Sequence, residues 1–228
     1  MNDYVRYTLK GYLRMNKEAI RIRFRNKIFI PLTYKARRKK IITDSFTILS
    51  NNCWGGTVYE SYGLPKQSPT IGMFIMPSDY LQLLRNLEWY LTQPLEIISP
   101  DDSKWKNQLS HKKKWGTYLI GRLGDIELHL LHYHDKALAI EKWNRRIKRI
   151  DRKHLVVKFN DQNGATKEDI ISFLSLPYPH KICFVSQREL NIEGTIFIPP
   201  ERSEGVYASK EPFGKTRHIN INELINSL

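Results

Sequence analysis

Leu155-Val-Val-Lys-Phe159, Asn160-Asp-Gln-Asn-Gly164, Thr166-Lys-Glu-Asp169 and Lys181-Ile-Cys-Phe-Val185 follow one another within about thirty residues, and their order decides the fold. The first is an apolar run of strand length, and the second is a cluster of turn formers. Thr166 followed by Glu168 and Asp169 is a helix start with acids in its first turn. The fourth is a second β-rich run. Strand, helix, strand implies a crossover and parallel pairing, which needs helices over the sheet faces. The expected class is therefore α/β: three layers, a mostly parallel sheet and flanking helices.

Working outward toward the N-terminus, Phe46–Ser50 reads as a further strand, ended by Asn51 and Asn52, with a helix expected from about Trp54 to Tyr62. A short buried strand is expected over Thr70–Ile75. A helix opens at Pro77-Ser-Asp79, with Tyr80, Leu83, Leu84, Leu87 and Tyr90 at helical spacing. Residues 99–115 form a polar insertion carrying Lys112, Lys113, Lys114, Trp105 and Trp115, either a lid or binding edge or plain surface decoration. Thr117–Ile120 and Ile126–His132 are β-rich, and Lys136–Ile150 is a charged helix with Ala139, Trp143, Ile147 and Ile150 on one face. Thr195–Ile198 predicts a strand, 199–217 a loop and Asn220–Leu228 a closing helix. The body, 46–228, forms one unit or two small lobes, 46–133 and 134–228.

The chain has 228 residues and a net charge of +14, most of it in residues 1–45, where thirteen Lys or Arg face three acids. Tyr4, Tyr7, Leu9, Tyr12, Leu13 and Ile20 interleave with these bases at loosely helical spacing. That pattern suits a basic amphipathic arm on an anionic leaflet, or equally a solvated helix face or a docking element for a partner. Nucleic acid is not an expected partner, because no zinc, helix-turn-helix or stacking-sheet signature occurs. Without a leader or a long apolar run, and with only two cysteines, Cys53 and Cys183, the expected setting is reduced and cytoplasmic, peripheral to the inner membrane face through the arm. No metal or cofactor is expected: the cysteines lie far apart, and Gly55-Gly56 lacks the lysine and spacing of a phosphate loop.

In a parallel sheet, ligands bind beyond the carboxyl ends of strands. Three expected strand ends carry suitable groups: Ser50, Asn51, Asn52 and Cys53; Asn160 and Asp161; and Ser186. Cys53, entering a helix, could have a lowered thiol pKa, or could be only a packed small side chain. Its candidate base is His132, with Asp125 or Asp161 as the orienting acid. Glu127 and His129 share the neighbouring strand, where a structural role competes with a catalytic one. Arg145 and Arg146 could grip a diphosphate or anionic sugar, and Trp54 could stack on a sugar ring.

Phe46-Thr-Ile-Leu-Ser-Asn-Asn-Cys-Trp-Gly-Gly56, Tyr62-Gly-Leu64, Ser68-Pro-Thr-Ile-Gly-Met-Phe-Ile-Met-Pro77, Asn86-Leu-Glu-Trp-Tyr90, Gly121-Arg-Leu-Gly-Asp-Ile-Glu-Leu-His-Leu-Leu-His-Tyr133 and Lys142-Trp-Asn-Arg-Arg-Ile-Lys-Arg-Ile150 together resemble a bacterial domain family usually called exopolysaccharide or capsule biosynthesis proteins. The resemblance runs over about residues 1–190. A fainter likeness, in the Ser-Asn-x-Cys, Gly-Leu and Arg-Arg-x-x-Arg order, is to a group described as papain-like cysteine peptidases. What the resemblance implies is a place in surface-polysaccharide assembly, without a settled reaction. A transferase acting on a sugar or on a lipid-linked or nucleotide-linked glycan follows as the expectation, with acyl transfer through Cys53 the most concrete form. A non-catalytic glycan-binding or assembly module, a glycosyltransferase using Asp161 or Glu127, and a cysteine hydrolase remain open beside it.

Overall fold

The apolar runs Leu155–Phe159 and Lys181–Val185 lie at the centre of the molecule. The computed structural model describes residues 20, 24–199, 206, 208 and 211–228. The expected amphipathic arm over residues 1–45 therefore lies outside the described residues at 1–19 and 21–23. Strands β1 (Thr47–Ser50), β6 (Leu155–Asn160), β7 (His180–Val185) and β8 (Ile196–Phe197) form a four-stranded sheet in the order β1-β6-β7-β8, parallel throughout. Ser50 pairs with Lys158, and Asn160 with Phe184, so the carboxyl ends of the central strands reach one edge together.

Side-chain alternation sorts this sheet into two cores. Leu49, Val157, Phe159, Cys183 and Val185 face one way, into a cluster that includes helix α3 (Pro77–Arg85) and helix α7 (Lys167–Leu174). Ile48, Val156, Ile182 and Phe184 face the other way, against α2 (Trp54–Ser61) and α8 (Ile221–Asn226). The α7 start is held by a reciprocal box: Thr166 Oγ1 accepts from Asp169 N at 3.2 Å, and Asp169 Oδ2 accepts from Thr166 N at 2.9 Å. Losing such a cap costs about 1 kcal/mol.

A second sheet was not anticipated. β2 (Phe74–Ile75), β5 (Ile126–Leu130), β4 (Leu119–Leu123) and β3 (Leu95–Ile98) run in the order β2-β5-β4-β3, all antiparallel. The expected strand over Thr70–Ile75 shrinks to two residues, because Thr70–Gly72 turns and Gly72 takes φ +81°. Pairing at β5 stops at Leu130, so His132 lies in a turn rather than at a strand end. Its backbone N–H donates to Gly72 O at 3.0 Å, which ties His132 to the same loop that leads into β2. The predicted helix through Tyr90 is broken at Asn86 into α3 and α4 (Leu87–Thr92). The polar insertion holds a 3-10 turn, Pro100–Asp102, and a short helix, α5 (Lys106–Leu109), and the helix predicted over Lys136–Ile150 is α6 (Lys136–Ile147).

The two sheets meet at the site edge, where Ile75 N donates to Asn51 O at 3.0 Å. From the basic N-terminal segment, α1 (Ile30–Arg38) continues a π-helical stretch, Arg25–Phe29, and packs on α2. Arg37 secures that contact by donating to Ser61 O and to Thr33 Oγ1. No helix among the described residues is long and apolar enough to cross a membrane.

Candidate functional site

The strand ends do converge, and what they build first is a buried polar floor. Asn51 staples β1 to β6: its Nδ2 donates to Asn160 O at 3.1 Å and its Oδ1 accepts from Asn160 N at 3.1 Å. Lys158 lies inside the apolar run of β6, and its ammonium is buried against Glu211, with both side chains fully excluded from solvent. Its Nζ also donates to Asn52 Oδ1 at 3.1 Å and sits 5.9 Å from the Trp54 ring and 5.6 Å from that of Phe184. Glu211 accepts further bonds from Asn160 Nδ2 at 2.9 Å and from Asn52 Nδ2 at 3.2 Å. Burial lowers the Lys158 pKa and raises that of Glu211, and each opposite charge works against that shift.

Asp161 is equally committed to structure. Its Oδ2 accepts from Ser186 N at 2.6 Å, Ser186 Oγ at 2.8 Å and Gln187 N at 3.3 Å, and its Oδ1 accepts from Val206 N at 2.9 Å. Ser50 Oγ donates to Asn52 O at 2.6 Å. Trp54 is fully buried and donates from Nε1 to Pro212 O at 2.8 Å, which leaves its ring in the core and away from a sugar.

Above this floor opens a cleft of about 900 Å³. Asn52, Cys53, His132 and Arg146 from the sequence-predicted set line it. Cys53 occupies the N-cap position of α2, yet burial pushes its thiol up to about 11, with Glu211 adding to the rise. The thiol donates to Met73 O at 3.6 Å. His132 is also held neutral, its pKa lowered by burial and then by Lys114 and Lys66. Cys53 and His132 thus share a cleft, and both are uncharged at neutral pH. Arg146 is nearly buried and donates to Tyr133 Oη and, at 3.4 Å, to Ile71 O.

Other predicted residues stand apart from the cleft lining. Asp125 sits at the β4–β5 turn, where Tyr90 Oη and Gln82 Nε2 each donate to it at 2.6 Å; the Tyr90 bond leads in lowering its pKa. Glu127 accepts from Ser103 Oγ at 2.5 Å and Lys104 N at 2.9 Å. His129 is fully buried and stacked on Phe74 at 4.4 Å, with its pKa driven down to about 3 by burial. Arg145 is half exposed and paired with Glu141 at 2.9 Å.

Apart from Arg146, the cleft's dominant feature was not among the predicted site residues. Lys66, Lys112, Lys113, Lys114, Lys142, Arg25 and Arg146 line it, while Glu60 is the one carboxylate among the described lining residues and is itself paired with Lys66 at 2.6 Å. Phe74, Trp115, Tyr118 and Tyr133 add aromatic surface. The insertion 99–115 supplies the lysine run, and it is anchored by the Glu127 bonds and by Asp79. Asp79 is buried, pairs with Lys104 at 2.7 Å and accepts from Trp105 Nε1 at 2.8 Å. The C-terminal end of the insertion, from Leu109 to Trp115, thus forms part of the cleft wall. The signal was present as Lys112-Lys-Lys-Trp115, a charge run abutting an aromatic. Chemically, the cleft suits an anion with a flat or ring-shaped neighbour, since ammonium and guanidinium groups bind phosphate and aromatic faces accept sugar rings.

Among known proteins, an uncharacterized protein of Haemophilus influenzae is 32% identical over 160 residues, spanning 70% of this chain and 69% of that protein. Residues 24–221 match the family described as domain of unknown function DUF1919, and with most of its length covered the chain belongs to that family.

Proposed function

We propose that the cleft grips a phosphate-bearing sugar, as a free sugar phosphate or a diphosphate-linked glycan intermediate, in surface-polysaccharide assembly. The observation that carries this reading is the charge of the cleft: among the described lining residues, seven are cationic and one is a carboxylate, Glu60, which pairs with Lys66 and leaves six cationic residues in excess beside an aromatic wall. A diphosphate placed there would be held by several cations in a partly desolvated space, where each interaction is stronger than in open water. The polysaccharide setting is supported by the sequence resemblance, and the ligand chemistry by the cleft.

A second reading keeps acyl transfer through Cys53, favoured by its place in the same cleft as His132. It requires the ligand to bring the imidazole onto the thiol, because at rest the thiol is protonated and bonded to Met73 O. The test is the surface glycan of cells lacking the gene, complemented with the wild type, with Lys112→Ala/Lys113→Ala/Lys114→Ala, or with Cys53→Ser. Loss of the glycan in the lysine variant with retention in Cys53→Ser supports the gripping site. Loss of glycan modification in Cys53→Ser, at unchanged protein level, supports acyl transfer. A normal glycan in the gene-deleted cells refutes the proposal.

A further inference from the structure

The helix that brings Arg25 and Asn26 to the cleft turns a different side to solvent, and that side is apolar. Phe24 is 55% exposed, Ile28 46% and Leu32 77%, and Phe29 is 45% exposed beside them. Four-residue spacing sets Phe24, Ile28 and Leu32 along one side of the continuous helical stretch from Phe24 to Arg38. Ile42, just beyond α1, is 83% exposed. Most of the large apolar side chains left in water among the described residues belong to this one segment, whereas scattered single exposures would need no explanation.

Its flanks decide the occupant. Lys27, Lys35, Lys39 and Lys40 are exposed on the same short segment, and Asp44 is the one acid between residues 24 and 45, paired with Arg38 at 2.6 Å. An apolar ridge framed by lysines fits an anionic bilayer, where the ridge enters the acyl boundary and the lysines meet the headgroups. A protein partner with a neutral apolar groove would gain nothing from the lysines. A second copy of this chain would bring lysines against lysines.

We infer that residues 24–42 dock on the surface of an anionic membrane through Phe24, Ile28 and Leu32, with the lysines as electrostatic anchors. Because the same helix lends Arg25 and Asn26 to the cleft lining, docking holds the cleft mouth beside the headgroup layer. The ridge stands clear of the core: Ile30, not Phe24, Ile28 or Leu32, is the buried member of the stretch.

The test is flotation of the full-length protein with vesicles of phosphatidylcholine alone and of phosphatidylcholine with phosphatidylglycerol. The inference predicts binding to the second only, weakened as salt rises. In Phe24→Ser/Ile28→Ser/Leu32→Ser, vesicle affinity should fall ~10-fold or more while the melting temperature and the affinity for a nucleoside-diphosphate sugar stay at wild-type values. Unchanged vesicle binding in that variant overturns the inference, as does no binding of the wild type to anionic vesicles. A concentration-dependent dimer that the variant abolishes, seen in sedimentation without lipid, would assign the ridge to a second copy and also overturn it. Soluble-sugar binding that fails while vesicle binding holds counts against the cleft reading alone.

Discussion

Replacing Glu211 by Gln leaves Lys158 buried with no counter-charge, and replacing Lys158 by Met does the same to Glu211. Both side chains are fully excluded from solvent, so neither can relax into water without opening the site floor. Breaking a buried pair by removing one partner costs about 3–5 kcal/mol, against a total stability of roughly 5–15 kcal/mol for a domain. Gln at 211 keeps an acceptor for the amides of Asn52 and Asn160, so the double variant Lys158→Met/Glu211→Gln removes both charges and few hydrogen bonds. It should therefore recover to within about 1–2 kcal/mol of the wild type. Each single variant also has its own pH signature. In Lys158→Met the folded pKa of Glu211 rises above its unfolded value, so stability is present at low pH and lost as pH rises through the folded value. In Glu211→Gln the folded pKa of Lys158 falls below its unfolded value, so stability improves as pH rises toward the ordinary lysine range. Urea unfolding followed by far-ultraviolet circular dichroism, for all four proteins across pH, measures these effects. Single variants that cost under about 1 kcal/mol, or a double variant no better than the worse single, would refute the reasoning.

The other predictions concern single groups. At pH 7.5 Cys53 should react with a maleimide at least ~100-fold more slowly than free cysteine, because a thiol held near 11 is almost wholly protonated; peptide mapping that shows fast labelling would contradict its burial. Asp151 is partly buried, which pushes its pKa up, yet bonds from His154 and Ser45 hold it down to about 2. Its depressed folded value stabilises by about 1–2 kcal/mol above pH ~4, and that contribution is lost as pH falls toward 2, so Asp151→Asn should lower the melting temperature at pH 7 and converge with wild type in acid. Gly63 has φ +64°, and a Cβ there would lie 2.3 Å from Tyr34 Cδ2, so Gly63→Ala should cost about 2 kcal/mol; an unchanged unfolding midpoint would mean that α1 does not pack as described.

The parallel sheet was legible because its signals are local and agree: apolar runs of strand length, the turn at Asn160–Gly164 and the Thr166 cap. The antiparallel sheet was not. Leu95–Ile98 is a four-residue run, and Thr117–Ile120 gave only the start of β4, which ends at Leu123, so neither carries enough period to name a sheet. At the site, Ser50, Asn51, Asn52 and Asn160 were placed at one edge correctly, but sequence cannot show that these groups satisfy one another. Glu211 lies fifty-three residues from Lys158, in a stretch that reads as loop, so no periodicity connects them. The available signal was Lys158 itself, a lysine inside Leu155-Val-Val-Lys-Phe159, which requires a counter-charge wherever that strand is buried. Asp125 and Glu127 were read as acids near a histidine. Both are instead tied down within their own surroundings, Asp125 by Tyr90 and Gln82, Glu127 by the base of the insertion.

The central claim is that the lysine-lined cleft holds a phosphate-bearing sugar. Titration calorimetry of the full-length protein with a nucleoside-diphosphate sugar, and with the same sugar lacking phosphate, tests it most directly when repeated at several salt concentrations on Lys112→Ala/Lys113→Ala/Lys114→Ala. The account predicts saturable binding of the phosphorylated ligand alone, weakened by salt and reduced ~10-fold or more in the variant at unchanged melting temperature. Equal affinity for the two sugars, or a variant that binds as the wild type does, would contradict it.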